Sequence, residues 1–233
     1  MTHRPLARGA DTGQGEGAHG GMKSMCGITG WVDFGRDLRG ERAAIEAMTA
    51  TMICRGPDAG GVWCSAHAAL GHRRLSVIDL PGGKQPMCAP GDDDVVLTFS
   101  GEIYNFAELR HELSAHGHGF RTRSDTEVLL RSYLQWGSEC VRRLNGMFAF
   151  AIWDGRRQEL LLARDRLGVK PLCYAVRPDG VLFGSEPKAV LAHPEFRPEI
   201  DAEGLAELFS QFAPRLQGTA STGDSQRSDR GRS

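Results

Sequence analysis

A cysteine that follows a methionine and opens a strand-like run can do more than fill a core. In the segment Met25-Cys26-Gly27-Ile28-Thr29-Gly30-Trp31-Val32, loss of everything up to Met25 would leave Cys26 carrying both a thiol and a free α-amine. An α-amine has a pKa of about 8, so at neutral pH it can accept the proton of its own thiol and turn the sulfur into a nucleophile. The same residue also suits a small core position at a strand start, because free cysteine often serves as packed apolar surface. The triplet Met-Cys-Gly does not choose between the two uses.

Other chemistries lack their patterns. The eight histidines show no H-E-x-x-H or related spacing, so no metal site is expected. Ser76 and Ser185 have no G-x-S-x-G context. Gly15 to Gly20 match the letters of G-x-G-x-x-G, but no strand precedes them and no helix follows, so the dinucleotide fingerprint lacks its setting. The six cysteines contain no C-x-x-C pair and come without an apolar export signal, which points to reduced thiols and a cytoplasmic location.

Positioning Cys26 needs a core, and 233 residues with 40% hydrophobic content can bury one. A net charge of −1 gives no reason to expect nucleic acid as a partner. No apolar run approaches the roughly 20 residues of a membrane helix, so no membrane partner is expected.

After the Cys26 strand, Ile45, Met48 and Met52 fall on one face of a helix beginning near Glu41, and Arg55-Gly56-Pro57-Asp58 ends it. Strand-like runs follow at 61–64, 68–70, 75–79 and 95–100. Asn105 suits an N-cap for a helix burying Phe106, Leu109 and Leu113. Ser124-Asp125-Thr126-Glu127 has capping-box spacing ahead of a helix with Leu130, Tyr133 and Leu134 on its face.

The period then returns to two, with strands at 147–153, 160–164, 172–176 and 181–184, and turn signals at Asp154-Gly155 and Asp179-Gly180. Strands, then helices, then a meander make an α+β pattern, which two antiparallel sheets with helices packed outside would accommodate. One more helix is expected after Pro198, capped by Asp201, with Leu205, Leu208, Phe209 and Phe212 on its face.

Seven blocks now line up in order. Cys26-Gly27-Ile28 is followed by Arg55-Gly56-Pro57-Asp58 and by His72-Arg73-Arg74-Leu75-Ser76-Val77-Ile78-Asp79. Then come Gly101-Glu102-Ile103-Tyr104-Asn105, Ser124-Asp125-Thr126-Glu127, Gly146-Met147-Phe148-Ala149-Phe150, and the run from Arg164 through Lys170 to Leu172. Over residues 25–200 the sequence resembles the class II glutamine amidotransferase domain of glutamine-hydrolysing asparagine synthetases. The resemblance implies an N-terminal-nucleophile hydrolase fold, a four-layer αββα sandwich.

It also implies roles. Cys26 would attack the side-chain amide of L-glutamine, forming a γ-glutamyl thioester and releasing ammonia. Arg74 would hold the substrate carboxylate in a bidentate fork, and Asp125 would meet the α-ammonium, a position that equally suits the first turn of a helix. Main-chain groups of Leu75, Ser76, Val77 and Ile78 and of Ser100, Gly101 and Glu102 would complete the pocket. Ser100 and Gly101 would also supply the oxyanion hole.

Two positions depart from the family pattern. Ser100 stands where asparagine is common, and its hydroxyl reaches less far than an amide. Cys54 stands where histidine usually precedes Arg-Gly-Pro-Asp; a buried packing role suits it better than a second nucleophilic one, since no base is identifiable beside it.

The ends carry further expectations. Residues 1–25 read as a disordered extension or a mis-assigned start, with initiation at Met25 favoured over propeptide cleavage or a domain inactive as made. The amidotransferase domain is expected over 26–200, a helix leading to an absent synthetase domain over 201–213, and a disordered tail over 214–233. No cofactor is expected in this chain; ATP and Mg would belong to that missing domain, whose Ser-Gly-Gly-x-Asp-Ser loop does not occur here. A truncated or frameshifted gene would explain the pattern. Two other readings stay open: a catalytically silent remnant that binds glutamine, and an amidotransferase serving another acceptor.

Overall fold

Alternation along the strands explains the layers. On β1 (Gly27–Asp33) Trp31 and Val32 are both buried yet enter different cores, and the same split occurs at Ala69 and Leu70 of β3 (Ala68–Arg74). Successive strand residues point to opposite faces, so a sheet whose both faces are covered must bury both sets. A computed structural model describes residues 25–75, 84–199, 203 and 204 of the chain and shows this arrangement throughout.

Two antiparallel sheets result. The first has the order β2-β3-β1-β9-β8, with β2 at Ala59–Cys64, β8 at Cys173–Arg177 and β9 at Gly180–Gly184. The second has the order β4-β5-β6-β7, with β4 at Met87–Ala89, β5 at Asp92–Ile103, β6 at Gly146–Asp154 and β7 at Glu159–Arg164. Between the sheets lie Val32, Leu70, Val96, Ala151, Trp153 and Phe183.

Helices cover both outer faces. Against the first sheet pack α1 (Arg42–Ala50) and α4 (Pro187–Leu191), which join Ile45, Met48 and Val190 to Trp31 and Leu182. Against the second pack α2 (Phe106–Ala115) and α3 (Asp125–Trp136), where Leu109, Leu113, Leu129 and Leu130 meet Leu97, Phe99, Phe150 and Ile152. The expected four-layer αββα sandwich is present.

Several local expectations need correction. The run at 68–70 extends further than expected: β3 runs unbroken to Arg74, and of the expected strand at 75–79 Leu75 lies just beyond β3 while 76–79 fall outside the described residues. Asn105 occupies the N-cap of α2 but makes no cap bond; its side chain donates to Arg143 O and accepts from Asn145 N instead. Phe106 is 37% exposed rather than buried, because α2 turns Leu109 and Leu113 toward the sheet.

Ser124 does cap α3, accepting from Glu127 N, yet the reciprocal half of the box is missing. The Glu127 carboxylate takes the N–H groups of Arg121 and Thr122 instead. Met52 is fully buried, but in the turn beyond α1, and Cys54 two residues on is exposed, so the expected packing role for Cys54 is overturned.

Residues Met1–Phe196 and Arg197–Ser233 form two separate units. In the second, Glu203 and Gly204 are helical; Asp201 and the apolar residues of the expected C-terminal helix lie outside the described residues, as do 1–24 and 214–233. Among the described residues no helix is long and apolar enough to cross a membrane.

Candidate active site

Cys26 sits immediately before β1, the middle strand of its sheet, where Gly27 pairs with Arg73 of β3. That register brings the end of β3 beside the sulfur. The Leu75 N–H donates to Cys26 Sγ at 3.4 Å, and the thiol stands 3.7 Å from Leu75 O. Burial pushes the Cys26 thiol pKa up, opposed by the Leu75 N–H, by Arg74 and by Lys170. At neutral pH such a thiol stays protonated until a base or a stronger positive field removes its proton.

The main chain of Cys26 is held as firmly as its sulfur. Its carbonyl oxygen accepts from Ser100 Oγ at 2.7 Å and from Arg55 Nε at 3.3 Å. Arg55 is in turn paired with Glu186, the residue before α4, at 3.1 Å. On the next residue pair of β1, the Ser185 hydroxyl accepts from Ile28 N at 3.0 Å.

Three consecutive residues of β5 tie the second sheet to the first. Thr98 Oγ1 donates to Gly71 O at 3.2 Å, Phe99 O lies 3.1 Å from His72 Nε2, and Ser100 Oγ reaches Cys26 O. His72 is 1% exposed, and burial, with Arg74 and Arg73 adding to it, drops its pKa to about 3, so its Nε2 carries the proton given to Phe99 O.

Gly101 follows with φ +152°, and a Cβ there would stand 2.2 Å from Met147 O. Only glycine fits there. Beyond it, Ile103 N donates to Asp125 Oδ2 at 3.1 Å and pins the start of α3 to the end of β5. Burial pushes the Asp125 carboxyl up, the Ile103 N–H opposes this, and the charge of Glu102 adds to the rise.

The structure therefore gathers Cys26, Arg74, Leu75 and Ser100, with Gly101, Glu102 and Asp125 following along β5 and into α3. Ser76, Val77 and Ile78 lie outside the described residues. Two charged residues that the roles assigned from sequence left out also belong here. Arg55 grips Cys26 O, and Lys170, 5% exposed, donates from Nζ to Met25 Sδ at 2.9 Å. Both stood in the sequence blocks, but no local pattern marks either as facing the nucleophile. Among the described residues no three His, Cys, Asp or Glu side chains are grouped to hold a metal ion.

A family model described as a glutamine amidotransferase domain matches residues 25–222. The chain belongs to that family. It is 50% identical over 196 residues to asparagine synthetase [glutamine-hydrolyzing] 3 of Bacillus subtilis, covering 84% of this chain and 32% of the relative. Asparagine synthetase [glutamine-hydrolyzing] 1 of the same organism is 42% identical over 193 residues, with 82% and 30% covered. This amidotransferase chain thus spans roughly a third of the length of these curated relatives.

A solved B. subtilis glutamine phosphoribosylpyrophosphate amidotransferase superposes with a TM-score of 0.56 at 19% identity, covering 72% of this chain and 43% of that one. That likeness bears on the fold.

Proposed function

We propose that this amidotransferase domain hydrolyses the side-chain amide of L-glutamine at Cys26 and supplies the ammonia to an ATP-dependent synthetase domain that amidates aspartate. The observation that carries the reading is the placement of the Cys26 sulfur against Leu75, directly beside Arg74. Two consecutive residues at the end of β3 thus supply a donor to the nucleophile, the Leu75 N–H, and a guanidinium whose charge acts on it, Arg74. The 50% identity to a glutamine-hydrolysing asparagine synthetase supports the choice of acceptor.

In this reading Arg74 takes the substrate carboxylate and Asp125 its ammonium, which sets the amide carbon over Sγ. The sulfur attacks that carbon, and the Gly101 N–H faces the oxyanion. Collapse breaks the C–N bond, and the proton taken from the thiol leaves on ammonia. Water then cleaves the γ-glutamyl thioester to glutamate and restores the thiol. The base is the α-amine of Cys26, so the active species must begin at Cys26; in the chain as given, Met25 acylates that amine. That peptide bond favours a second reading, a silent form that binds glutamine without turning it over.

Release of ammonia and glutamate in equal amounts, by protein whose intact mass shows Cys26 as first residue, is the expected result. No release from that species contradicts the proposal. Supplied with aspartate, ATP and ammonia, these 233 residues are expected to make no asparagine, since the sequence contains no Ser-Gly-Gly-x-Asp-Ser loop.

A further inference from the structure

An N-terminal nucleophile is tethered from one side. In the glutamine reading given above, on which this inference rests, the active species begins at Cys26, so no chain precedes it. What remains to orient the residue is its sulfur, which meets the Leu75 N–H, and its carbonyl oxygen, which accepts from Ser100 Oγ and Arg55 Nε. Because the peptide unit is planar, holding that oxygen fixes the plane from which the Cα–C bond turns the amine and the thiol.

Arg55 is held at both ends by distant parts of the chain. Behind it Gly56 packs so closely on β3 that a Cβ would stand 2.4 Å from the Arg73 carbonyl carbon, and Gly56 O accepts from Arg73 Nε at 2.9 Å. Asp58 N donates to Arg74 O at 3.1 Å, so this loop is clipped to the end of β3. The side chain is 12% exposed; its Nε goes to Cys26 O, its Nη1 donates to Glu186 Oε1 at 3.1 Å, and among the described residues its Nη2 has no hydrogen-bond partner. A long arginine side chain has many rotamers, and a clipped main chain does not choose between them. The carboxylate of Glu186 does.

The sheet register brings Glu186 to that place. Thr29 of β1 pairs with Gly184 of β9; one step on, Ser185 N donates to Ile28 O at 2.8 Å and Ser185 Oγ accepts from Ile28 N at 3.0 Å. The next step puts Glu186 beside the start of β1. Pro187 follows it and restricts it to extended backbone, φ −138° and ψ 145°. Its second carboxylate oxygen lies 2.7 Å from Nζ of Lys188, a half-exposed side chain.

We propose that Glu186 is a positioning residue for the nucleophile: it aims the Arg55 guanidinium at the Cys26 carbonyl oxygen and so holds the terminal residue in its reacting orientation. Without Glu186 a largely buried guanidinium keeps one neutral acceptor, a state costly enough to turn the head toward water and off the carbonyl.

The test uses the chain beginning at Cys26 and two readouts. Steady-state ammonia release from glutamine should show kcat down about tenfold in Glu186→Ala with KM within about twofold, since orientation is lost while the glutamine contacts persist. Glu186→Gln keeps an oxygen that can accept from Nη1 and should restore kcat to within about threefold of wild type. Lys188→Ala, which removes only the solvent-side pair of Glu186, should leave kcat unchanged. On an Arg55→Met background, Glu186→Ala should cost less than about twofold further, because the two residues act as one unit.

The second readout is the carbonyl resonance of Cys26 in protein labelled with carbonyl-13C cysteine, identified by its absence from Cys26→Ala. It should move in Glu186→Ala and stay in Glu186→Gln and Lys188→Ala; it decides alone if Arg55→Met does not fold. An unmoved resonance, an unchanged kcat in folded Glu186→Ala, an equal loss in Glu186→Gln or a full tenfold loss on the Arg55→Met background each overturns the proposal. Wild-type protein that releases no ammonia while its Cys26 resonance still depends on Glu186 would remove the glutaminase reading and leave the positioning of residue 26 standing.

Discussion

The Ser100 hydroxyl donates across 2.7 Å to the main-chain carbonyl oxygen of Cys26, linking a buried position in one sheet to the nucleophile at the start of the central strand of the other. A hydroxyl has one proton to give, and here it is given to the backbone rather than toward the space above Sγ. Ser100→Ala leaves the Cys26 carbonyl with Arg55 Nε alone. Loss of one buried donor with a second remaining should cost about 1 kcal/mol of stability. It should also lower kcat about tenfold with KM nearly unchanged, since the nucleophile loosens while the glutamine contacts persist.

Ser100→Asn separates the two roles the residue could have. If position 100 served the oxyanion directly, the longer amide would raise kcat. Because its hydroxyl instead clamps Cys26 in a site that is 1% exposed, the larger side chain should overfill it and lower kcat. Steady-state kinetics of the two variants together decide the point.

For recognition, Arg74→Lys and Asp125→Asn should each raise KM for glutamine. Hydrogen bonds to charged groups contribute about 1.5–3 kcal/mol, so the rise should be roughly ten- to a hundredfold. Asparagine keeps an oxygen that can accept from Ile103 N, so the tie between α3 and β5 survives in Asp125→Asn and thermal stability should hold. Unchanged KM in both variants would place the amino-acid pocket elsewhere.

Acid sensitivity should follow His72. Its pKa is about 3 in the fold against an ordinary 6.5. Between those values the unfolded chain takes up a proton that the folded chain refuses, so stability falls as pH drops below 6.5, by up to about 1.4 kcal/mol per pH unit. His72→Gln can still donate to Phe99 O but cannot be protonated. Its urea midpoint should change less between about pH 7 and about pH 4.5 than that of wild type. Equal slopes would mean another group controls acid unfolding.

Much of this scaffold was legible from periodicity. The long strands β5 and β6 and the helices α1 to α3 carry enough repeats to declare a face, and Asp179-Gly180 marks the β8–β9 turn correctly. The three residues of β4 and the five of α4 are too short for any period to register. Asn105 and Cys54 were misread because local chemistry cannot say which neighbour a side chain will find: Asn105 found the loop before β6, and Cys54 found solvent.

The site divides the same way. Cys26, Arg74 and Asp125 came from blocks in order along the chain, and Ser100 from the position just before one of them. Arg55 and Lys170 emerge only when the turn wound on Asp165 and the start of α4 are folded against β1, contacts that span more than a hundred residues of sequence.

The claim on which everything else depends is that one sulfur does the chemistry. Ammonia release from glutamine by six single cysteine variants, each assayed with the amine of residue 26 free, tests it most directly. Cys26→Ala should fall to background with an unchanged melting profile, while Cys54→Ala, Cys64→Ala, Cys88→Ala, Cys140→Ala and Cys173→Ala should each keep most of the wild-type rate. Ammonia release that persists in Cys26→Ala, or vanishes in a folded variant of another cysteine, would contradict the account.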